Sequence, residues 1–199
     1  IAVESINPHA ILAATFTNKA ASEMKGRIDQ MLQAPTQGMW VGTFHGLAHK
    51  FLRLHWQEAG LQQDFQILDS DDQYRHIRRL LKNLNLDEAY YPPKEIQWFI
   101  NNQKDLGLRF NNIKTDPTKT KHIEIYQAYE QSCEQSGFVD FGELLLRSFE
   151  TLKKNTALLD HYHKRFKHVL VDEFQDTNEV QYQWIKLISG AETSTFIVG

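Results

Sequence analysis

Apolar residues near the start of the chain occur first in a short run and then at helical spacing. The run at residues 11–16 ends at the polar residues Thr17 and Asn18, which is typical of a buried strand. From residue 20 to residue 32 apolar positions recur every three or four residues, as in an amphipathic helix. A second run at residues 39–43 and a second helical pattern at residues 47–54 follow. The order strand, helix, strand, helix predicts an α/β sheet.

The pattern changes between about residues 66 and 150, where helical spacing dominates and no stretch is a convincing strand. Ser70 and Gln73 have the spacing of a capping box at the start of one helix. Asp140 is in position to cap a later helix, whose regularly spaced apolar residues include Phe141.

Strand character returns at residues 169–171, and after a helical stretch it appears again at residues 196–198. The simplest organisation is therefore one α/β domain interrupted by an insert. We predict that residues 1–65 and 151–199 form the α/β part and that residues 66–150 form an all-helical insert subdomain.

Composition narrows the possible environments of the protein. The 199 residues carry a net charge of −3, whereas a module dedicated to coating nucleic acid is usually basic. Any contact with DNA must then be local. The single cysteine, Cys133, excludes an internal disulfide and fits a reducing compartment. No apolar run approaches the roughly 20 residues that span a bilayer, so we expect a cytoplasmic protein without membrane contact.

Two adjacent carboxylates follow a predicted buried strand. Residues 168–171 lead directly to Asp172 and Glu173, with Gln175 close behind. In open α/β sheets, ligands bind at the carboxyl ends of the strands. A nucleoside triphosphatase needs a carboxylate for Mg²⁺ and a group that orients or deprotonates the attacking water, and Asp172 and Glu173 suit these roles in turn. The alternative interpretation is a solvated acidic turn.

Residues 15–21 form a junction where a predicted strand ends and a helix begins. Free backbone N–H groups at a helix N-terminus attract phosphate, and Lys19 adds positive charge. Phe16 has the chemistry to stack on an unpaired base without sequence preference. From composition alone the alternative is favoured, in which Asn18 merely caps the helix and Phe16 is a core residue.

A similar junction occurs at residues 42–46. Thr43 and His45 are candidates for hydrogen bonds to a sugar-phosphate backbone, although a helix-capping turn is the favoured explanation of this motif alone. His45 and His49 have zinc-like spacing, but Gly46 stands where a metalloprotease has its glutamate, and no third ligand is evident. We therefore reject zinc here.

One predicted helix of the insert carries a run of basic residues. Such a run is usually a solvated face, and a patch that contacts phosphate is the minority interpretation. The run consists of Arg75, Arg78, Arg79 and Lys82.

In this order, the three junction motifs resemble those of the UvrD/Rep/PcrA family of superfamily 1 DNA helicases. Residues 15–21 look like motif Ia of the family, residues 42–45 like motif Ib and residues 171–177 like motif II. A helical insert between the last two is also a family feature. Three further stretches match as well, at residues 65–69, 103–105 and 139–145. The resemblance spans essentially the whole chain and is highly specific as a set.

The resemblance implies part of a RecA-like P-loop NTPase lobe, a parallel sheet with flanking helices, that carries the helical insert. It implies ATP and Mg²⁺, 3′-to-5′ translocation on single-stranded DNA and unwinding at junctions with duplex, with a role in DNA repair alongside repair proteins. By position, Asp172 coordinates Mg²⁺, Glu173 activates water and Gln175 helps to couple the nucleotide site to DNA. The positions expected to touch DNA are Phe16, Thr17, Asn18, Lys19, Thr43 and His45.

Two parts of such an enzyme have no match in this sequence. One is the Gly-rich phosphate loop with its Lys-Thr pair, and the other is the second motor lobe. Because the chain also starts at Ile1 and ends in a strand-like stretch, we expect an internal fragment of a helicase. Two alternatives stay open: the motor part of a helicase-nuclease subunit and, for the isolated chain, a non-catalytic DNA-binding or interaction module.

Overall fold

A computed structural model describes residues 7–32, 38–114 and 117–199. The strands are β1 Ile11–Thr15, β2 Trp40–Thr43, β3 Gln66–Leu68, β4 Phe138–Asp140, β5 His168–Val171 and β6 Ser194–Ile197. The helices are α1 Asn18–Leu32, α2 Phe44–Leu54, α3 Ser70–Asn83, α4 Pro93–Asp105, α5 Thr120–Ser136, α6 Phe141–Lys154, α7 Thr156–Arg165 and α8 Glu179–Ile188. None of these helices, within the part of the chain described, is long and apolar enough to cross a membrane.

The main sheet has four parallel strands in the order β2-β1-β5-β6. Strand β1 lies inside this sheet, where Ala13 pairs with Val41 on one side and with Leu170 on the other. All five residues of β1 are buried, which explains why its sequence is a continuous run and does not alternate. The predicted strand at residues 11–16 is confirmed, one residue shorter.

Helices cover both faces of this sheet. On one face α1 packs Met24 and Ile28 over Ala13 and Val41. On the other face, α2, α6 and α8 build the larger core over alternate strand residues, which are Leu12, Ala14, Val169 and Val171. The alternation follows from the two-residue period of a strand. The predicted fold class, an α/β lobe with a parallel sheet and flanking helices, is confirmed.

The expectation that residues 66–150 contain no strand is wrong. Strands β3 and β4 form a separate two-stranded parallel pair, with Ile67 opposite Val139. Each strand is only three residues long, so neither produces a recognisable run. Their pairing brings the two ends of the insert together, because α3, α4 and α5 lie between them in the chain.

Helices α3, α4 and α5 enclose a second hydrophobic core of their own. Its fully buried members include Ile77, Leu81, Ile96, Ile100 and Tyr126. Helix α6 belongs elsewhere, since Leu144, Leu145 and Leu146 pack into the core of the main sheet. The boundaries at residues 65/66 and 150/151 stay a prediction, and from this packing we propose that the insert ends near β4.

The helix caps confirm one prediction and correct another. Asp140 caps α6 by accepting a hydrogen bond from the backbone N–H of Glu143 at 2.8 Å. The cap of α3 is Asp69 and not the predicted Ser70, because its carboxylate accepts from the backbone N–H of Asp72 at 2.7 Å. Aspartate and serine are both good caps, so adjacent candidates leave the start uncertain by one residue.

Candidate functional site

The carboxyl ends of the parallel strands meet at one edge of the main sheet. Strand β1 ends at Thr15 and the neighbouring β5 ends at Val171, so the polar residues that follow them are adjacent. The backbone N–H of Asp172 donates to the carbonyl of Ala14 at 3.1 Å. Two of the three sequence motifs thus lie side by side, and β2 brings the third to the other side of β1.

The acidic segment after β5 has an unusual backbone. Glu173 adopts φ 56° and ψ 43°, in the left-handed region that residues other than glycine seldom occupy. Its side chain is exposed, while that of Asp172 is partly buried. Such conformations cost of order 1–3 kcal/mol and cluster at functional sites. The observed strain therefore favours a functional segment over an ordinary solvated turn.

Hydrogen bonds hold this segment in shape. The side-chain amide of Gln175 donates to the carboxylate of Glu173. The backbone N–H of Phe174 donates to the carbonyl of Val198 at 3.1 Å, and that of Asp176 donates to the carbonyl of Glu173 at 3.0 Å. Glu173 and Gln175 consequently act as a pair, with the glutamate carboxylate facing solvent beside the strand ends.

Two threonines, Thr15 and Thr17, shape the turn between β1 and α1. The buried hydroxyl of Thr15 donates to the carbonyl of Thr17 at 3.1 Å and accepts from its N–H at 3.3 Å. Thr17 in turn caps α1, accepting from the backbone N–H of Ala20 at 3.1 Å. The cap is therefore Thr17 and not Asn18, which leaves the Asn18 side chain available to a ligand.

An open groove of about 460 Å³ lies between the first two junctions and the start of α6. Four of the six predicted DNA-contacting residues line it: Phe16, Asn18, Thr43 and His45. Thr17 and Lys19 are exposed beside it but do not line it. Phe16 is only half-buried and packs its ring against Phe44 at a centroid distance of 5.3 Å. It is thus both a support of the core and a wall of the groove.

Thr43 and His45 have distinct environments in this groove. Thr43 caps α2 by accepting from the backbone N–H of Gly46 at 3.1 Å, as the capping interpretation predicted. Burial lowers the pKa of His45 below its ordinary value, so its ring is neutral at physiological pH and offers one donor and one acceptor. His49 is engaged with Arg53, whose Nε donates to its ring nitrogen at 2.9 Å.

Phe141 is a groove residue that the sequence interpretation missed. Its spacing with other apolar residues suggested a core position, yet its side chain is 46% exposed. Its ring meets that of His45 edge-on at 5.7 Å and forms part of the groove wall. The available signal was an aromatic residue directly after a helix cap, where a first-turn side chain often remains outside the core.

Two of the four basic residues in the run on α3 pair with acidic neighbours. Arg75 pairs with Asp72, and Arg78 pairs with Glu88 at 3.1 Å, all with exposed or partly exposed side chains. These pairs agree with the solvated face that the sequence favoured. Among the described residues, no group of three or more His, Cys, Asp or Glu side chains could hold a metal ion by itself.

Comparison with known proteins gives a consistent result. The family model for the UvrD/REP helicase N-terminal domain matches residues 1–199. The chain is 51% identical over 201 residues to DNA helicase II of Escherichia coli K12 and 52% identical over 205 residues to that of Haemophilus influenzae, covering 100% of this chain and 28% of each relative. It is 30% identical over 205 residues to the ATP-dependent DNA helicase PcrA of Staphylococcus epidermidis, covering 98% of this chain and 27% of that protein. The chain thus spans little more than a quarter of the relatives' length.

Proposed function

The chain belongs to the UvrD/REP helicase family, and on that premise we propose that it forms part of the first motor lobe of an ATP-dependent DNA helicase. The parent protein translocates 3′ to 5′ on single-stranded DNA and unwinds duplex at junctions. The main support is the proximity of a strained acidic segment and an aromatic groove, which follow adjacent parallel strands at one sheet edge. We propose a longer parent protein because the chain spans only 28% of the length of DNA helicase II of Escherichia coli.

The donor set after β5 suits a magnesium nucleotide. Asp172 is the proposed Mg²⁺ ligand, since magnesium at such sites is held by one or two carboxylates and the substrate phosphates. The ion, when bound, neutralises charge that develops on the phosphates. Glu173 is proposed to hold the attacking water and to accept its proton. Gln175 donates to Glu173, so we assign it to orienting that carboxylate and to contacting the nucleotide.

The groove suits single-stranded DNA. Phe16, His45 and Phe141 offer ring surfaces on which bases stack, an interaction that tolerates any sequence. Asn18 and Thr43 provide hydrogen-bonding groups for the sugar-phosphate backbone. Thr17 and Lys19 are proposed to contact phosphate beside the groove. Because His45 is neutral, its contribution to DNA binding does not depend on a positive charge.

The wider role is proposed from the relatives, which carry the names of bacterial DNA helicases. We propose that the parent acts in the cytoplasm, in DNA repair and together with other repair proteins. The single cysteine is buried and free, which is compatible with a reducing compartment.

The direct test is ATP hydrolysis by two proteins, the full-length helicase that contains this chain and the 199-residue chain alone. We expect the full-length protein to release phosphate faster when single-stranded DNA is added. The chain alone should stay at background, because its sequence contains no Gly-rich loop with Lys-Thr to cradle the phosphates. A full-length protein that DNA does not stimulate contradicts the proposal. Hydrolysis by the chain alone contradicts the assumption that ATP turnover needs a phosphate-binding loop outside this chain.

Replacing Phe16 by Ala in the full-length protein should weaken single-stranded DNA binding by ~1–3 kcal/mol, the usual cost of losing one stacked base. The melting temperature should fall as well, because Phe16 also packs against Phe44. Phe16→Leu is the matched control, since it keeps apolar packing but removes the aromatic face. Fluorescence anisotropy with several DNA sequences measures the affinity. Unchanged affinity in both variants rejects stacking and leaves Phe16 a core residue.

A further inference from the structure

The C-terminal end of α4 carries three polar residues to which the proposed function assigns no role: the buried Gln103 and Lys104 and the partly buried Asp105. Lys104 is only 2% exposed, and its ammonium lies 2.7 Å from the carboxylate of Asp140 and 3.0 Å from that of Glu143. Burial alone lowers the pKa of a lysine, but these two carboxylates outweigh it, so the pKa of Lys104 is raised. Lys104 is therefore a charged group fixed within the protein.

Lys104 contacts the residue that caps α6. Its partner Asp140 is the cap of α6 and also accepts a hydrogen bond from the hydroxyl of Tyr129 at 2.7 Å. The next residue is Phe141 in the groove wall, and Gly142 then lies against Lys104. A Cβ atom at Gly142 would approach the Lys104 Cβ to 3.1 Å. The position of Phe141 thus depends on a cap that Lys104 holds by a charge-assisted hydrogen bond.

Asp105 makes the corresponding contact with the acidic segment. Its carboxylate accepts a hydrogen bond from the side-chain amide of Asn178 at 2.9 Å. Asn178 is the cap of α8 and completes a capping box with Gln181. It directly follows Thr177, the last residue of the acidic motif. Adjacent residues of α4 consequently hold one helix cap at each functional segment.

We propose that Lys104 and Asp105 are positioning residues that couple the DNA groove to the nucleotide segment through the insert. The inference rests on the proposed function. If DNA shifts Phe141, the contacts of Lys104 and Asp105 at the end of α4 transmit that shift through Asn178 to the segment that carries Glu173. A direct route also exists through the bond between Asp172 and Ala14, so loss of the α4 contact reduces the coupling without abolishing it.

The test exchanges the two partners of one hydrogen bond in the full-length protein. Asn178→Asp keeps a good helix cap but places a second carboxylate against Asp105. The ratio of kcat with saturating single-stranded DNA to kcat without DNA should fall about five- to tenfold, the lower end of the range for a coupling free energy between two sites. Adding Asp105→Asn restores a donor and an acceptor in reversed order, and the ratio should recover. Asp105→Asn alone keeps an acceptor and should stay near wild type.

Further variants separate coupling from stability. Asp105→Ala removes the hydrogen bond to Asn178 without changing the α8 cap, and it should lower the ratio as Asn178→Asp does. The test therefore remains valid if Asn178→Asp destabilises the fold. Glu88→Ala breaks the exposed pair with Arg78 in the same insert and should leave the ratio unchanged. DNA affinity and the KM for ATP should change little in every variant.

The outcomes distinguish this inference from the proposed function. A wild-type protein that DNA does not stimulate refutes the function itself. A stimulated wild type with equally stimulated Asn178→Asp and Asp105→Ala variants refutes only the coupling role. A loss in Asn178→Asp that the exchanged pair does not restore also refutes it, because the defect then belongs to position 178 alone.

Discussion

Glu173→Gln in the full-length helicase is expected to lower kcat for ATP hydrolysis by at least the ~10²–10⁴-fold typical of removing a general base. Glu173 directly follows the proposed Mg²⁺ ligand. Its backbone is left-handed, and its carboxylate is exposed beside the strand ends. Glutamine keeps the shape and can still hydrogen-bond, but it cannot accept a proton. The loss should appear in kcat, with ATP and DNA affinities close to wild type, because the interaction is made mainly in the transition state.

Two neighbouring variants make this measurement specific. Asp172→Asn should weaken Mg²⁺-dependent nucleotide binding as well as turnover, since a metal ligand acts in the ground state too. Asp176→Asn is the matched control, because it neutralises an exposed carboxylate of the same segment to which no role is assigned. Steady-state phosphate release and equilibrium nucleotide binding measure the two effects. A Glu173→Gln enzyme that turns over ATP within a few-fold of wild type shows that the base lies elsewhere.

Most of the fold could be predicted because local patterns carry it. Strand β1 is a continuous apolar run that is buried throughout, residues 169–171 of β5 are also apolar, and the long helices show regular apolar spacing. Strands β3 and β4 could not be predicted in this way, because each is three residues long and is defined by a partner about 70 residues away in the chain. Helix α7 (Thr156–Arg165) was also not predicted; it follows α6 after a single residue, Asn155, which caps it.

The candidate site could be predicted where residues adjacent in sequence carry the chemistry. The acidic pair and the two strand-to-helix junctions are of this kind, and the structure brings them to one sheet edge. The place of Phe141 in the groove wall was not predicted, because apolar spacing does not distinguish a core position from an exposed first turn. The match of residues 103–105 to the family does not reveal that Lys104 is buried. A lysine on an amphipathic helix is ordinarily solvated, and the carboxylate that pairs with this one lies 36 residues further along the chain.

The burial of Lys104 has a large expected consequence for stability. Lys104→Met should lower the free energy of unfolding of the chain by about 3–5 kcal/mol, the usual cost of removing one partner of a buried ion pair. Methionine fills similar space but leaves the buried Asp140 carboxylate without its cation. Glu143 still has Arg109 and Arg147 as partners, so the loss should come mainly from Asp140. Burial alone raises the pKa of Glu143, but Arg109 outweighs it and holds that pKa well below its ordinary value, so this carboxylate stays charged.

Two comparisons test whether the unpaired charge of Asp140 causes the loss of stability in Lys104→Met. Lys121→Met breaks an exposed ion pair, in which the Lys121 ammonium lies 2.8 Å from the Glu124 carboxylate. This change should lower the free energy of unfolding by at most about 1 kcal/mol. Adding Asp140→Asn to Lys104→Met removes the unpaired charge while keeping a good cap for α6, and it should recover part of the lost stability. Urea unfolding at neutral pH measures all four proteins. If Lys104→Met costs no more than Lys121→Met, the lysine is not needed to balance Asp140, and the ion pair does not hold α4 to α6.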